Sequence, residues 1–281
     1  MRRLVLLALL AALVLVPTAG SSGYQDLDLS FHSTAVAGDL RFAVVLPSDY
    51  ATSGLRYPVV YFLHGLPASS SGYQGSVAIV ERALAQTGRQ AIVVAPQAAR
   101  ANDSDPEYHD WGPGRNWETA VAGELPAWID AHFRTIANRS GRAVVGVSAG
   151  GYGAALLGLH HLDRFAVVMS WGGYFHPTDP SGLHALSVGS PAANARASAH
   201  TYVPTLRRAL AARPTLLAFY VGDEDSRFRP ENVQFHRELQ AAHVPHVFRI
   251  YSGGHTSALW NAHAGAWLDL ALSRLSPVRA S

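Results

Sequence analysis

Residues 143–161 read AVVGVSAGGYGAALLGLHH, and this stretch indicates how the chain folds. It opens with a short run of β-branched apolar residues, which is typical of a buried strand, and a helical pattern follows from Gly150. Ser148 lies between the two, with a glycine two residues away on either side. Where a strand turns sharply into a helix, a serine at the turn projects its hydroxyl, and a Cβ at either glycine would collide with neighbouring backbone. We therefore predict a strand–turn–helix unit with Ser148 as a candidate nucleophile.

Two other interpretations of these glycines are open. The G-x-S-x-G pattern is short enough to occur by chance, in which case the glycines form only a flexible turn that packs a strand against a helix. Glycines at the start of a helix also bind phosphate well. However, the chain contains no G-x-x-x-x-G-K-[ST] sequence, and this stretch lacks the G-x-G-x-x-G spacing. The nucleophile is the favoured interpretation, because both the strand and the helix are indicated.

Apolar runs of strand type alternate with helical patterns along the rest of the chain. The runs are continuous, which is typical of strands that are covered on both faces. Predicted strands lie at 39–47, 58–63, 91–96, 143–147, 165–171, 215–222 and 247–251. Predicted helices lie at 75–86, 117–133 with a kink or break at Pro126, 150–161, 228–243 and 256–274. This alternation predicts an α/β fold with a mostly parallel, doubly wound sheet and helices on both faces.

The length and composition suit one globular domain. The chain has 281 residues, of which 48% are hydrophobic and 15% are charged, and single α/β domains reach this size. We expect the domain to span residues 23–281. A stretch rich in Gly, Pro, Ala and His interrupts the alternation at about 172–213, where we expect an excursion from the sheet. It is either a cap that shapes a substrate site or a plain surface insertion, since long loops are often merely tolerated.

The first residues have the three regions of a secretory signal peptide: two arginines, an apolar run over residues 4–16, and then small residues. The apolar run is shorter than the roughly 20 residues that span a bilayer. We therefore expect residues 1–22 to be a cleaved signal peptide, with an uncleaved membrane anchor as the alternative. The mature protein would then be secreted or held in the cell envelope, without a stable membrane span.

The composition also excludes several classes of function. Because the chain has no cysteine, it has no disulfides, no thiol catalysis and no cysteine-based zinc site. All 22 basic residues are arginine, so no mechanism can use a lysine amine. Removal of residues 1–22 would take away two arginines and no acid, and would lower the formal net charge from +2 to 0. We therefore expect no nucleic-acid partner.

A serine nucleophile needs a base, and the base needs an acid that orients it. His255 fits the base, because it lies between the last predicted strand and the last predicted helix. The acid should follow the preceding strand, where Asp223, Glu224 and Asp225 stand together, and strand alternation does not choose among them. The order serine, acid, histidine at three strand ends is that of the α/β-hydrolase fold. A merely solvated acidic loop would not explain this order.

The candidate oxyanion hole needs two backbone N–H groups that point at the developing negative charge. One should come from Ala149, directly after the nucleophile, and the other from the loop after an early strand. In the sequence FLHGLP that second donor is Leu66, because the proline after it has no N–H. Aromatic residues mostly lie in the core or on ordinary amphipathic surface, and Trp111, Trp117 and Trp171 are the ones to check for exposure in a substrate pocket.

Five stretches of the chain, in order, resemble the esterase D-like branch of the α/β-hydrolases: YPVVYFLHGL, WETAVAGELPAWID, VVGVSAGGYGAALLGLHHLDRF, GDEDS and GGHTSALW. That branch includes acetyl xylan and feruloyl esterases and the secreted mycolyltransferases. In the feruloyl esterase-like members the catalytic acid is the last residue of a G-x-x-D loop. The resemblance therefore implies Asp225 as the acid, ahead of Asp223. It also implies His255 as the base and the Leu66 and Ala149 amides as oxyanion donors.

The chain departs from the mycolyltransferases in two respects. They carry an arginine after the leucine where this chain has Pro67, and they use a glutamate as the acid. We therefore expect a serine esterase that hydrolyses small-molecule or carbohydrate esters through an acyl-enzyme, with no metal or organic cofactor. The first alternative is an acyltransferase of the mycolyltransferase type, which moves an acyl group to a sugar hydroxyl. The second alternative is a non-catalytic, hydrolase-like binding protein.

Overall fold

The computed structural model describes residues 18–19, 24–67, 69, 71–101, 106–179, 181 and 183–280 of the chain. The predicted signal peptide, residues 1–22, lies outside these residues apart from Thr18–Ala19. Within the described ranges, no helix combines the length and the apolar character that crossing a bilayer requires.

The described strands form one sheet. They are β1 (Thr18–Ala19), β2 (Gln25–Ser33), β3 (Gly38–Leu46), β4 (Val59–Leu63), β5 (Ile92–Pro96), β6 (Arg142–Val147), β7 (Val167–Trp171), β8 (Leu216–Gly222) and β9 (Val247–Tyr251). Their order across the sheet is β1-β2-β3-β5-β4-β6-β7-β8-β9. Strands β4 to β9 pair in parallel, whereas β1, β2 and β3 pair antiparallel at one edge. The mostly parallel sheet is thereby confirmed.

The described helices cover both faces of this sheet. They are α1 (Tyr50–Ser53), α2 (Gln74–Thr87), α3 (Trp117–Thr119), α4 (Leu125–His132), α5 (Ala149–His160), α6 (Pro191–Ala197), α7 (Val203–Ala212), α8 (Arg229–Ala241) and α9 (Ser257–Leu272). Along β4, Val59, Tyr61 and Leu63 belong to a core shared with α4, α5, α7 and α8. Val60 and Phe62 belong to a second core, shared with α2 and α9. Successive side chains of a strand point to opposite faces, so the two cores lie on opposite sides of the sheet.

Strand β2 was not predicted from the sequence. Its residues, QDLDLSFHS, alternate between apolar and polar instead of forming an apolar run, and most of its side chains are at least partly exposed. Antiparallel strands at the edge of a sheet commonly keep one face in solvent. The continuous apolar run that identifies the buried parallel strands is therefore missing from this strand.

Pro126 does not break the helix that was predicted at 117–133. The helical backbone continues from α3 through a π-helical turn at Ala120–Glu124 into α4. Proline has no N–H to donate to the carbonyl four residues earlier, which is that of Ala122. This carbonyl accepts a hydrogen bond from the Arg164 guanidinium instead. Of the predicted kink or break, the break was wrong, because a distant arginine satisfies the freed carbonyl; the kink stays a prediction.

The excursion after β7 contains α6 and α7 and is tied to the rest of the protein by Glu118. The Glu118 carboxylate lies 2.8 Å from His160 Nδ1 and 3.0 Å from His161 Nε2, at the end of α5. The same oxygen accepts a hydrogen bond of 3.0 Å from Arg196 in α6. Leu206 of α7 is buried in the core. These contacts fix the excursion against the sheet, and they place both of these histidines away from Ser148.

Candidate active site

Ser148 occupies the sharp turn between β6 and α5. Its φ is +54° and its ψ is −123°, a conformation that L-residues adopt rarely, and its side chain is only half-buried. The two flanking positions must be glycine, because any side chain there would clash with backbone. A Cβ built on Gly146 would lie 2.1 Å from the Gly150 oxygen, and a Cβ built on Gly150 would lie 2.1 Å from the Leu63 oxygen. The glycines therefore allow α5 to start close beside β4 and β6.

His255 connects Ser148 to the acidic loop after β8. Its Nε2 lies 2.8 Å from Ser148 Oγ, and its Nδ1 lies 2.8 Å from Asp225 Oδ2. All three residues follow the carboxyl ends of parallel strands, namely β6, β8 and β9, which meet at one edge of the sheet. The structure thus brings together the three side chains that the sequence identified, at hydrogen-bonding distance.

The three acidic residues after β8 have different surroundings. Asp225 is 2% exposed, and its second oxygen accepts the Phe228 backbone N–H at 3.2 Å. Asp223 is exposed, and its Oδ1 accepts the Gly253 N–H at 2.9 Å, which ties the acidic loop to the loop that carries His255. Glu224 is exposed to solvent. Of the three, Asp225 is the residue that reaches the imidazole.

The loop after β4 packs directly against the turn at Ser148. A Cβ built on Gly65 would lie 3.0 Å from Ser148 Cβ and 3.3 Å from the Val147 oxygen, so a larger residue would require the turn or the loop to shift. The Tyr108 hydroxyl donates to the His64 carbonyl at 2.9 Å and holds the loop from behind. Leu66 lines the cavity at Ser148, and Ala149 is the first residue of α5, where an N–H has no intrahelical acceptor. Both residues predicted as amide donors are therefore next to the serine.

A cavity of about 380 Å³ opens over Ser148 and His255. Its aromatic lining is formed by Tyr174, Phe228 and Trp260. The Phe228 and Trp260 rings lie with their centroids 5.0 and 5.2 Å from the His255 ring, and Phe228 also stacks on Tyr174 at 4.7 Å. These rings restrict the movement of the imidazole and give the cavity an apolar wall.

None of the three tryptophans that were candidates for a substrate pocket lines the cavity at Ser148. Trp117 and Trp171 are fully buried in the core, and half-buried Trp111 packs near His109. Two of the three aromatic residues that line the cavity come from loops that follow β7 and β8, and Trp260 comes from the first turn of α9. The positions of these side chains relative to Ser148 depend on the path of those segments, which no sequence pattern predicted.

A larger depression, of about 780 Å³, lies at the opposite edge of the sheet. It is lined by residues at the amino ends of β8 and β9, including Leu216 and Val247, and by Arg207 and Arg274. The serine, the acid and the histidine all follow the carboxyl ends of strands. The smaller cavity is therefore the one that fits the chemistry of these groups.

Glu107 is a buried carboxyl group beneath the cavity wall. Its side chain accepts a hydrogen bond from the Tyr174 hydroxyl, and the Thr178 N–H lies 3.1 Å from both of its oxygens. Burial raises the pKa of Glu107 from 4.5 to about 8, despite the opposing effect of these hydrogen bonds. The group is therefore neutral in the folded protein at pH 7, and it supports the excursion at Tyr174 and Thr178.

We predict that Glu107→Gln removes a pH dependence of stability. Because the folded pKa is raised, the contribution of Glu107 to stability is complete below pH 4.5 and is lost as the pH rises toward about 8. The measurement is the free energy of unfolding in urea from pH 4.5 to 9. As the pH rises toward about 8, this free energy should fall in the wild type relative to the variant, by up to about 1.4 kcal/mol per pH unit. A constant difference between the two proteins across this range would contradict the assignment.

Comparison with known proteins agrees with this architecture. A family model described as "Putative esterase" matches residues 33–264. Esterase Rv1288 of Mycobacterium tuberculosis is 38% identical over 144 residues, which are 51% of this chain and 31% of that protein. Diacylglycerol acyltransferase/mycolyltransferase Ag85B of Mycolicibacterium smegmatis is 36% identical over 81 residues, 26% of this chain and 24% of that protein. The chain thus matches less than a third of the length of either relative.

The fold is shared with solved structures of esterases. A ferulic acid esterase superposes with a TM-score of 0.77 at 23% sequence identity, and the match covers 90% of this chain and 98% of that one. At this identity the likeness shows the fold alone. The family model spans most of the chain. The chain therefore belongs to the esterase family and has the α/β-hydrolase fold.

Proposed function

We propose that this protein is a secreted serine esterase that hydrolyses carboxylic esters, with Ser148 as nucleophile, His255 as base and Asp225 as the acid that orients the base. The observation that carries the proposal is the continuous series of contacts from Ser148 Oγ through the imidazole to Asp225, at 2.8 Å each. Membership of the esterase family supports the same reaction class.

In the first half of the reaction the ester acylates the enzyme. Ser148 Oγ attacks the carbonyl carbon as His255 Nε2 takes its proton, which gives a tetrahedral intermediate and an imidazolium. The Leu66 and Ala149 amides donate to the oxyanion. When the intermediate collapses, the alcohol leaves with the proton from His255, and the acyl group stays on the serine.

In the second half, water releases the acid. His255 takes a proton from the water as it attacks the acyl-enzyme. When the second tetrahedral intermediate collapses, the bond between the acyl carbon and Ser148 Oγ breaks, and the imidazolium returns the proton to Ser148 Oγ as the acid leaves. Asp225 accepts the Nδ1–H of the imidazole throughout, so that Nε2 faces the serine and the imidazolium is stabilised. Because the Asp225 carboxylate is 2% exposed, little solvent screens this interaction.

The cavity supports an ester with a small acyl or aromatic group. Its volume of about 380 Å³ lies within the range of small-molecule sites, about 300–1,000 Å³. The aromatic wall of Tyr174, Phe228 and Trp260 would pack against the plane of a ring, such as a feruloyl group or a sugar. We therefore propose aryl, feruloyl or acetylated-sugar esters as the substrate class.

Acyl transfer to a sugar hydroxyl is the second candidate reaction, since a mycolyltransferase is among the relatives. The chemistry up to the acyl-enzyme is the same, and a sugar hydroxyl then replaces water. Pro67 stands where the mycolyltransferases carry an arginine, and the proposed acid is Asp225 instead of a glutamate. Both differences favour hydrolysis.

Product analysis separates these reactions. The mature protein is incubated with p-nitrophenyl acetate, a feruloyl ester and an acetylated xylose, with and without free trehalose, and the products are resolved by chromatography. We expect the free acid as the main product in both conditions. An acylated trehalose that outcompetes the free acid would favour the transferase. No turnover of any ester by the folded protein would favour a binding protein on a hydrolase scaffold.

Secretion is part of the proposal and rests on the sequence of residues 1–22. Expression of the full chain with its leader should yield an extracytoplasmic protein whose N-terminus, determined by mass spectrometry, lies between residues 20 and 23. A full-length protein retained in the membrane fraction would indicate an anchor instead.

A further inference from the structure

Two histidines of the excursion and one glutamate of α8 meet at another cavity, and Phe228 lines both this cavity and the one at Ser148. His176 Nδ1 lies 2.5 Å from Glu231 Oε1, and His200 Nε2 lies 3.4 Å from the same oxygen. One nitrogen or oxygen atom from each of the three side chains lies within 4.8 Å of the other two. These atoms are therefore close enough for one ion to contact all three.

The ligand types and spacing suit a transition-metal ion. Zn²⁺ binds histidine nitrogens and carboxylate oxygens at about 2.0–2.2 Å, and two histidines with one carboxylate are an established zinc ligand set. Ligand atoms around a tetrahedral ion at these distances are about 3.3–3.6 Å apart. His200 Nε2 and Glu231 Oε1, at 3.4 Å, already have this spacing, whereas His176 Nδ1, at 2.5 Å from the same oxygen, must move outward. His176 is 41% exposed at its side chain and has room to make this shift.

The second nitrogen of His200 has the partner that a metal ligand requires. His200 Nδ1 lies 2.5 Å from Glu238 Oε2, and Glu238 is about two helical turns beyond Glu231 on α8. Metal-bound histidines almost always donate their other N–H to a carboxylate, a carbonyl or water, which fixes the ring and leaves Nε2 free to bind the ion. Glu231 is itself held, because its Oε1 accepts the Phe175 N–H at 2.8 Å.

The three groups border an open cavity of about 480 Å³, which His184 also lines. An ion bound by three protein side chains would keep at least one position for water or for another ligand. The side chains of His200 and Glu231 are 20% and 12% exposed, so the site is partly shielded but can be reached from solvent.

We propose that His176, His200 and Glu231 form a Zn²⁺ site, separate from the ester cavity, in which Glu238 orients His200. The ion would join the excursion to the first turn of α8. That turn follows Phe228, whose N–H donates to Asp225 and whose ring packs on His255. Metal binding would therefore stabilise the segment that supports the base and the acid, without taking part in the ester reaction.

The sequence could not indicate this site. Its three ligands stand at positions 176, 200 and 231, without the short spacing that marks zinc sites within one element, and fourteen histidines make each one uninformative. Only the folding of the excursion onto α8 brings them together.

The test uses the full mature chain after chelator treatment and dialysis. Calorimetric titration with ZnCl₂ should show one ion per chain, and the midpoint of thermal unfolding should rise with Zn²⁺ but not with Mg²⁺, which prefers oxygen ligands. His200→Ala and Glu231→Gln should each weaken Zn²⁺ binding by at least about tenfold, since even partners outside the ligand shell are worth about 10- to 100-fold. Glu238→Gln should weaken it by about tenfold for the same reason.

Two histidine variants serve as controls. His32 is on β2 and its side chain is 71% exposed, so His32→Ala should bind Zn²⁺ as the wild type does. His236 and His246 form another close pair, with Nδ1 and Nε2 2.7 Å apart, and His236→Ala should also leave the affinity unchanged. Loss of binding in His236→Ala but not in His200→Ala would overturn the proposal.

Spectroscopy of the wild type provides a readout that does not depend on the folding of the variants. Co²⁺ substituted at the site should give the visible absorption of a four- or five-coordinate ion with nitrogen and oxygen ligands, and Zn²⁺ should displace it. Circular dichroism checks that each variant is folded. Absence of stoichiometric Zn²⁺ binding by the wild type would overturn the proposal. His176, His200 and Glu231 would then form a hydrogen-bonded cluster without a metal.

Discussion

Replacing Ser148 with alanine should lower kcat for p-nitrophenyl acetate by about 10⁴- to 10⁶-fold and leave the fold intact. The variant retains the cavity and both predicted amide donors, but it has no oxygen to form the acyl-enzyme. The hydroxyl contacts His255 and makes no contact that the core requires, so the free energy of unfolding should change by less than about 1 kcal/mol.

Ser226→Ala is a matched control for this variant. Ser226 is an exposed serine directly after Asp225, so its replacement removes a hydroxyl close to the site without removing the proposed nucleophile. It should keep kcat within about twofold of the wild type, as expected for an exposed side chain outside the reacting groups. Activity of Ser148→Ala within tenfold of the control would exclude Ser148 as the nucleophile.

Asp225→Asn should lower kcat by about 10⁴-fold, because an asparagine can present its N–H₂ to His255 and stabilise the wrong imidazole tautomer. The change keeps the size and the planar shape of the side chain, so the acceptor for the Phe228 N–H can be retained. The measurement is kcat across a pH series, which separates a loss of the base from a shift in its pKa.

Asp223→Asn is the control that decides between the two aspartates. Asp223 accepts the Gly253 N–H, and an asparagine oxygen can accept the same bond. We therefore expect a loss in kcat of less than about tenfold, in line with the net value of one neutral hydrogen bond. The reverse pattern, with the large loss in Asp223→Asn, would transfer the role of the acid to Asp223.

The sequence singled out Ser148, His255 and the acidic loop because each follows a strand that could be predicted from the sequence. Continuous apolar runs identify β6 and β8, which are buried, whereas β9 is an edge strand with Arg249 at its centre and no buried residue. The carboxyl ends of these parallel strands meet at one edge of the sheet. Ser148 and His255 could thus be placed from local patterns alone. The choice of Asp225 over Asp223 needed the resemblance to a known family, because the direction of a side chain in a loop is set by tertiary contacts such as that with Phe228.

The surroundings of these groups could not be predicted in the same way. Tyr174 comes from the excursion and Phe228 from the loop before α8, and neither segment has a periodic pattern that places its side chains. Glu107 would be expected on the surface, since carboxylates are rarely buried, yet it lies under Tyr174. Long-range packing of irregular segments decides these positions.

The central claim, that Ser148 forms the covalent acyl intermediate, is tested most directly by mass spectrometry after reaction with a fluorophosphonate. Trypsin cleaves after Arg142 and Arg164, and the resulting peptide 143–164 contains Ser148 as its only serine. We predict one adduct per chain, located on Ser148 in this peptide and absent from Ser148→Ala. An adduct on another residue, or no adduct on a folded protein that hydrolyses esters, would contradict the mechanism.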